Sequence, residues 1–159
     1  MKKILLLSGL LLSFIFANAQ CWSDISVNTH SVAIKTDGTL WSWGHNSQGQ
    51  LGDGTTVNKL SPIQIGTSAN WSRVAAGDEF TMAIKTDGTL WAWGRNNTGQ
   101  LGDGTTTSRN IPTQIGTASD WESVSLIDKF VLALKTDHTM WSWGNNDYGQ
   151  LGFGDYSDR

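Results

Sequence analysis

The sequence has 159 residues, a length typical of one domain, and contains 18 Gly, 9 Trp and 2 Pro. Its formal net charge is −3 at pH 7, with 11 Lys and Arg scattered among 14 Asp and Glu. Because nucleic-acid binding needs clustered positive charge to displace counterions from phosphates, we predict that no nucleic acid is a partner.

The N-terminal residues have the features of a secretory signal peptide. Lys2 and Lys3 precede an apolar run over 4–16, and the tripeptide ANA at 17–19 has the small-x-small form that signal peptidase cleaves. A transmembrane anchor is the alternative, but the run is short and a cleavage site follows it. We predict that residues 1–19 are removed. The remaining chain would then have no membrane span and would be secreted, periplasmic or on the cell surface.

Cys21 is the single cysteine and therefore excludes an intrachain disulfide. Acylation of its thiol, as in a lipoprotein, is an alternative interpretation. That processing requires a small residue before the cysteine, however, and Gln20 stands there. We therefore predict an unmodified thiol.

The rest of the sequence consists of one unit repeated at intervals of 50 residues. The stretch KTDGTLWSWG at 35–44 returns as KTDGTLWAWG at 85–94 and as KTDHTMWSWG at 135–144. Each unit begins with a tryptophan, and the third is shorter than the others. The predicted units are 22–70, 71–120 and 121–159, within a repeat region of 20–159.

The second unit predicts four short strands. The first covers 71–76, and a turn leads to a second over 80–86, in which Met82 and Ile84 face one side and Ala83 and Lys85 the other. The third follows over 89–93. After a loop rich in Gly and Asn, residues 111–115 predict an outer strand, and their Pro112 suits an edge.

An Asp-Gly pair separates the second and third predicted strands. Asp37-Gly38 and Asp87-Gly88 predict a two-residue hairpin turn with positive φ at both positions. The third unit has His138 in place of Gly, and we expect it to accept positive φ at some cost. This pair is a structural turn rather than part of a site.

Four short antiparallel strands in a unit of about 50 residues, with no helical period, predict an all-β fold built of propeller blades. A solenoid of single strands is the alternative, but its repeats are usually shorter. The sequence holds two complete blades and a partial third.

The repeated phrase resembles the repeats of the regulator of chromosome condensation family. That pattern, A-L-x-x-D-G-x-x-(W/Y)-x-W-G-x-N-x-x-G-Q-L-G-x-G, is matched over 33–54, 83–104 and 133–154. The resemblance implies a seven-bladed ring, of which this chain is a part. Because repeats need neighbours for stability, we expect further blades or self-association to complete it.

The sequence departs from the family pattern at a few places. The G-x-x-H step before the second strand keeps its histidine only as His30, while Phe80 and Phe130 occupy the equivalent positions. His138 replaces a glycine, and Phe153 replaces the aspartate of the first two units.

The nine tryptophans fall at three repeat positions. Strict recurrence indicates a packing role in every blade, and we predict that the rings pack between blades against small residues on the facing blade, Ala33, Ala83 and Ala133. Stacking on sugars is the alternative. Six of these tryptophans form pairs one residue apart: Trp41 and Trp43, Trp91 and Trp93, Trp141 and Trp143.

No catalytic set is recognisable in the sequence. His30, His45 and His138 occupy different repeat positions, and there is no nucleophile elbow, phosphate loop or Cys–His cluster. The loop 46–54 has too few acids for a calcium site. We predict no enzyme activity, no cofactor and no metal. The amide of Gln50, and of its equivalents, is expected to bond backbone within this loop.

Partner contacts are expected where the three copies differ, because the scaffold does not dictate those residues. The family resemblance implies the use of loops on one ring face to grip partner proteins. We predict a secreted, non-catalytic segment that binds an unknown protein as scaffold, adhesin or inhibitor. The alternatives are a carbohydrate-binding module with exposed Trp, and a truncated fragment without independent function. The candidate contact residues are Asn28, Asp78, Glu79, Asp128, Lys129, His45, Arg95, Asn145, Lys59 and Arg109.

Overall fold

The computed structural model describes residues 21–159, which form eleven β-strands and no helix. The predicted signal peptide lies outside the described residues. Blade 1 contains β1 (Trp22–Val27), β2 (His30–Lys35), β3 (Leu40–Gly44) and β4 (Lys59–Gln64). Blade 2 contains β5 (Trp71–Ala76), β6 (Phe80–Lys85), β7 (Leu90–Gly94) and β8 (Arg109–Gln114). Blade 3 contains β9 (Trp121–Ile127), β10 (Phe130–Lys135) and β11 (Met140–Gly144).

Each blade is an antiparallel sheet in which strands that follow each other in sequence are hydrogen-bonded neighbours. The prediction of an all-β fold built of propeller blades is confirmed. The outer strand of blade 2 begins two residues earlier than predicted, because Arg109 pairs with Gly94 across β7 and β8. In blade 3, Arg159 exchanges both backbone hydrogen bonds with Gly144, which is the same first step of an outer strand.

The two sides of each blade differ in chemistry. We call the side that carries the tryptophans the indole face and the other side the aliphatic face. The indole face comprises Trp22, Ile25, Val27, Ala33, Trp41 and Trp43 in blade 1, with equivalents Trp71, Val74, Ala76, Ala83, Trp91 and Trp93 in blade 2. The aliphatic face comprises His30, Val32, Ile34, Leu40 and Ser42 in blade 1, Phe80, Met82, Ile84, Leu90 and Ala92 in blade 2, and Phe130, Leu132, Leu134, Met140 and Ser142 in blade 3.

The core lies between the blades. At the first junction the aliphatic face of blade 1 packs on the indole face of blade 2, and at the second junction blades 2 and 3 pack in the same way. Leu40 and Trp93 are fully buried at the first junction. The prediction that tryptophans pack between blades is confirmed.

The predicted position of the small residues is wrong. Ala33, Ala83 and Ala133 do not face the tryptophans from the next blade, because each is the cross-strand partner of a tryptophan in its own sheet. Directly opposed residues of an antiparallel pair point to the same side. Alanine therefore makes room for the indole ring beside it, and branched residues such as Ile34 meet the rings from the neighbouring blade.

The hairpin turn between β2 and β3 is also different from the prediction. The Gly38 N–H donates to Lys35 O at 2.8 Å and the Lys35 N–H donates to Thr39 O at 3.0 Å, the pattern of a type I turn followed by a glycine bulge. Only the glycine has positive φ, 80°, and Asp37 instead accepts hydrogen bonds from the Thr39 N–H and hydroxyl. His138 takes φ 66° in blade 3, as expected.

Candidate functional site

The loops of the three blades separate into two sets by topology. In a four-stranded meander, the β1–β2 turn and the β3–β4 loop lie at the same end of the sheet, and the β2–β3 turn lies at the other. Turn and loop are joined by backbone hydrogen bonds, from Arg95 N to Glu79 O at 2.8 Å and from Asn145 N to Lys129 O at 3.0 Å. All ten candidate contact residues belong to this end of the blades. We call it the loop face.

The long loop between the third and fourth strands is built around a buried asparagine. In blade 1, Asn46 Oδ1 accepts from Leu51 N at 2.9 Å, while its Nδ2 donates to the carbonyls of Thr55 and Val57. The same bonds recur around Asn96 in blade 2. As predicted, Gln50 bonds backbone within the loop, since its Oε1 accepts from Gln48 N at 2.9 Å. The loop is therefore a rigid support for the side chains at its rim.

Ion pairs fasten this loop to the start of the outer strand. Lys59 Nζ lies 3.0 Å from Asp53 Oδ2, and Arg109 Nη2 lies 2.8 Å from Asp103 Oδ2. Burial would raise the pKa of the Asp53 carboxyl, but hydrogen bonds from Lys59 and Thr55 outweigh it and hold the pKa below its usual value. The charges of these two candidate contact residues are thus used within their own blades.

Blade 3 keeps this ion pair although its aspartate is missing. Phe153 occupies the position of Asp53 and Asp103 and is 55% exposed. Two residues later, Asp155 pairs with Arg159 at 2.7 Å and accepts a hydrogen bond from Asn146, as Asp53 does from Asn46. The acid has moved along the loop while the cation has kept its place.

Three candidate residues meet across the first junction around Glu79. Its Oε2 lies 2.7 Å from Arg95 Nη1, and its Oε1 accepts from Ser47 of blade 1 at 3.4 Å. His45 Nδ1 is 4.0 Å from the same carboxylate and 3.0 Å from the amide nitrogen of Gln50. An amide nitrogen only donates, so His45 Nδ1 is the accepting, unprotonated nitrogen. Glu79 therefore pairs with Arg95.

The remaining candidates lie around this cluster on the same face. Asp78 N donates to Asp128 O at 2.9 Å, which joins the turns of blades 2 and 3. Asn145 donates through Nδ2 to Asp147 at 3.0 Å. Asn28 accepts from the N–H of its neighbour Thr29 and is exposed at the free edge of blade 1.

Sequence reasoning missed a further variable position on the loop face. Ser47, Asn97 and Asp147 are equivalent, all exposed, and different in each blade. The next position carries Gln48, Thr98 and Tyr148, and Tyr148 is 89% exposed. The signal was available, because both positions change between copies while the buried Asn before them and the Gly after them do not.

The recurrent tryptophans form the same cluster in each blade. In blade 2, Trp71 makes edge contacts with Trp91 and Trp93, and Lys85 Nζ lies 4.0 Å from the centre of the Trp91 ring. This cation–π contact was not expected from the sequence. Across each junction the second indole donates to a loop carbonyl, Trp93 Nε1 to Gln50 O at 2.8 Å and Trp143 Nε1 to Gln100 O at 3.1 Å.

A groove opens beside the cluster of blade 3. It has a volume of about 1030 Å³ and is lined by Trp121, Trp141, Trp143 and Lys135. Trp141 is 51% exposed. The corresponding space at the first junction is about 450 Å³, and Ile111 and Pro112 of β8 line it.

Two further observations concern residues 21–159 alone. They contain no group of three His, Cys, Asp or Glu side chains placed to hold a metal ion. They also contain no helix long and apolar enough to cross a membrane.

Known proteins share this sequence pattern over short stretches. The zebrafish (Danio rerio) protein RCC2 homolog is 43% identical over 53 residues, which cover 28% of this chain and 11% of that protein. Human RCC2 is 50% identical over 40 residues, 25% of this chain and 8% of the human protein. The chain therefore spans about a tenth of the length of the curated relatives it matches.

Solved structures share the fold over most of the described chain. Human WBSCR16 superposes with a TM-score of 0.76 at 22% identity, covering 87% of this chain and 38% of that one. Prp20p of Saccharomyces cerevisiae superposes with a TM-score of 0.73 at 25% identity, covering 84% and 35%. Its structure was reported together with its binding to Gsp1p and histones.

The sequence profile of the regulator of chromosome condensation (RCC1) repeat matches residues 37–84 and 87–134. A second profile of the same repeat matches residues 71–100 and 124–150. The first profile alone covers more than half of the sequence, and the phrase that it describes is the one that forms the hairpin, the indole pair and the asparagine-centred loop. The chain belongs to the regulator of chromosome condensation (RCC1) repeat family.

Proposed function

We propose that this chain is an exported, non-catalytic segment of a propeller that binds another protein through its loop face. One observation carries the proposal. The residues that recur in every blade make the indole clusters and the asparagine-centred loop supports, whereas exposed loop residues that differ between blades, such as Ser47, Asn97 and Asp147, stand on those supports at one end of the sheets. Variable side chains on a rigid support are typical of a binding surface.

The family relationship supports a protein as the ligand. Prp20p, which has this fold, binds Gsp1p and histones, and its complex with Kap60 has also been solved. The loop face of the present chain has its own chemistry, with Asp78, Asp128 and Asp147 beside Arg95 and Lys129. A partner would therefore carry polar groups of both charges.

The domain organisation is part of the same proposal. Residues 1–19 act as the signal peptide, and residues 20–159 carry the blades 22–70, 71–120 and 121–159 of a larger ring. The mass of the chain purified from the medium or periplasm of an expression host tests export directly. Cleavage after Ala19 is expected, and a product that keeps its first residues inside the cell would contradict export.

Matched surface variants test the binding face. Ser47→Lys with Asn97→Lys places two new charges on the loop face, and Thr36→Lys with Thr86→Lys places two at the opposite end of the same blades. The exported chain is immobilised and used to capture proteins from the extracellular fraction of its source. A partner lost with the loop-face variant and kept with the control supports the proposal. Equal loss or equal retention would contradict it.

Glycan binding is a second candidate, favoured by the groove beside Trp141. An exposed indole offers a flat apolar face, and Lys135 provides a charged group at its side. Trp141→Ala should then abolish retention on a glycan array, while the loop-face variant retains it. If wild type and Trp141→Ala bind glycans equally, this candidate is wrong.

A further inference from the structure

The indole face of blade 1 is open in the described part of the chain. Ile25 and Val27 on this face are 67% and 71% exposed, whereas their equivalents in blade 2, Val74 and Ala76, are 8% and 6% exposed. The difference arises because blade 1 covers blade 2, and no described residue covers blade 1 on this side. Blade 1 thus shows the surface that elsewhere forms half of a junction.

The aliphatic face of blade 3 is also open, and at the other junctions this face packs against an indole face. Met140 and Leu134 are 67% and 40% exposed, whereas their equivalents Leu90 and Ile84 in blade 2 are 0% and 2% exposed under the tryptophans of blade 3. Exposed apolar clusters of this kind mark interaction surfaces. The chain therefore carries both halves of a further junction at its two ends.

Hydrogen-bonding groups on these two faces are complementary as well. Trp93 and Trp143 each donate through Nε1 to the carbonyl of a loop glutamine in the preceding blade. Within residues 21–159, Trp43 Nε1 in blade 1 has no acceptor, and Gln150 O in blade 3 has no donor. A third junction of the same geometry would pair this donor with this acceptor.

The first strands of the blades contain a second complementary donor and acceptor. At the first junction, the Ala76 N–H donates to Ser26 Oγ of the preceding blade at 3.0 Å. Blade 2 has Ala75 at the position of Ser26 and lacks this acceptor, but blade 3 has the exposed Ser125 there. Ser125 is therefore placed to accept from Val27 N, the equivalent of Ala76 N, across a further junction.

His138 bears on whether the blade that completes such a junction is connected in the same chain or belongs to another molecule. At the first two junctions the segment that leads to the next blade crosses the β2–β3 turn so closely that a Cβ on Gly38 would meet Ala69 O, and one on Gly88 would meet Ser119 O. His138 places a side chain in this position. A covalent connection following the same course would collide with it, whereas a blade from another molecule needs no connection there.

We propose that two copies of this chain associate head to tail, with the aliphatic face of blade 3 of one copy packed on the indole face of blade 1 of the other. The contact is heterologous, since two different surfaces meet, and so it leads to closed rings or to open chains according to its angle. The proposal does not depend on the loop face, which stays free in such an assembly.

Single charges on the open faces test this arrangement. Val27→Asp spoils the indole face of blade 1, and Met140→Asp spoils the aliphatic face of blade 3. Thr86→Asp is the control, because Thr86 is exposed on the turn between β6 and β7 of blade 2, whose two faces are already covered by blades 1 and 3. In sedimentation velocity of the exported chain, wild type and Thr86→Asp are expected to form concentration-dependent oligomers, and the other two variants are expected to be monomers.

Mixing the two monomeric variants is the decisive step. Each retains the face that the other has lost, so an equimolar mixture should form a complex of two chains and nothing larger. Far-ultraviolet circular dichroism of each variant before mixing verifies that the sheets are intact. A monomeric wild type, which would point to a covalently linked blade or a different protein on these faces, overturns the proposal. Oligomers that survive either substitution, or a mixture that stays monomeric, overturn it as well.

Discussion

The two junctions between blades use the same scaffold with different chemistry. At the first junction His30 Nε2 lies 2.6 Å from Thr81 Oγ1, and this hydroxyl donates to Gln50 O at 2.8 Å. At the second junction the equivalent positions are Phe80 and Val131, both fully buried. A polar pair, His30 and Thr81, and an apolar pair, Phe80 and Val131, therefore occupy equivalent positions at the two junctions. Both residues of the pair change from one junction to the other.

The polar junction determines the protonation of its histidine. The Thr81 hydroxyl has one proton, which Gln50 O accepts, so the histidine must donate from Nε2. His30 Nδ1 is then the unprotonated nitrogen, and it is buried with no hydrogen-bond partner in the described part of the chain. Burial, with a smaller contribution from His45, lowers the pKa of His30 to about 4. The apolar junction has no titratable group at this place.

The largest expected effect comes from removing the indole that closes the first junction. Trp93 is fully buried and hydrogen-bonded to Gln50 O, so Trp93→Ala should lower the free energy of unfolding by about 3–5 kcal/mol. Its equivalent Trp143 is only half-buried, and Trp143→Ala should cost less. Urea unfolding followed by circular dichroism measures both. Equal losses would show that the junctions do not differ in packing.

Acid should weaken the first junction selectively. The unfolded chain binds a proton at His30 below the ordinary histidine pKa of 6.5, whereas the folded chain binds it only near pH 4. Stability is therefore complete above pH 6.5 and is lost as the pH falls, by roughly 3 kcal/mol at pH 4. Unfolding in urea at several pH values measures this slope. The double variant His30→Phe with Thr81→Val, which copies the second junction, should remove the slope in this window.

The effects of substituting His30 and Thr81 on the free energy of unfolding should not be additive at neutral pH. Thr81→Val alone leaves the His30 Nε2–H buried without an acceptor, which should cost about 1–3 kcal/mol. Adding His30→Phe should restore most of the stability, because the second junction accommodates Phe80 beside Val131. A double-mutant cycle by urea unfolding measures the coupling. If the losses of unfolding free energy from the two single substitutions add up in the double variant, His30 and Thr81 are not coupled.

The smallest expected effect concerns the turn of blade 3. His138 has φ 66°, a conformation that costs a non-glycine residue free energy, so His138→Gly should raise stability by about 1 kcal/mol. Gly88→Ala at the second junction is the matched change in the opposite sense. It should be destabilising, because the new Cβ would meet Ser119 O. Thermal unfolding measures both, and a destabilising His138→Gly would contradict the turn geometry.

Much of the fold could be predicted because each unit repeats its own pattern. The period places the strands, and the Trp pairs mark the indole face of each sheet. The hairpin type could not be predicted from Asp-Gly, since that pair suits both a two-residue turn and a three-residue turn with a bulge. The predicted position of Ala83 was wrong because the repeat period does not reveal the strand register, and the register determines which residue lies beside Trp91.

The candidate site was predictable only in part. Variation between copies locates the loop face, but it does not distinguish a free charge from a paired one. Lys59 and Arg109 pair with acids six residues earlier, a spacing that recurs in the first two blades and could have been read from the sequence. The contact of His30 with Thr81 could not, because residues 51 apart meet only through the way that blades pack.

The displaced aspartate of blade 3 has a consequence for recognising such repeats. Asp155 and Arg159 preserve the loop fastening although the aspartate expected at position 153 has become Phe. A repeat can therefore lose a residue of the family pattern and still keep the interaction that this residue makes in other repeats. Searches that score each column separately will undervalue blades of this kind. Searches that ask whether any nearby acid reaches the outer-strand cation would recover them.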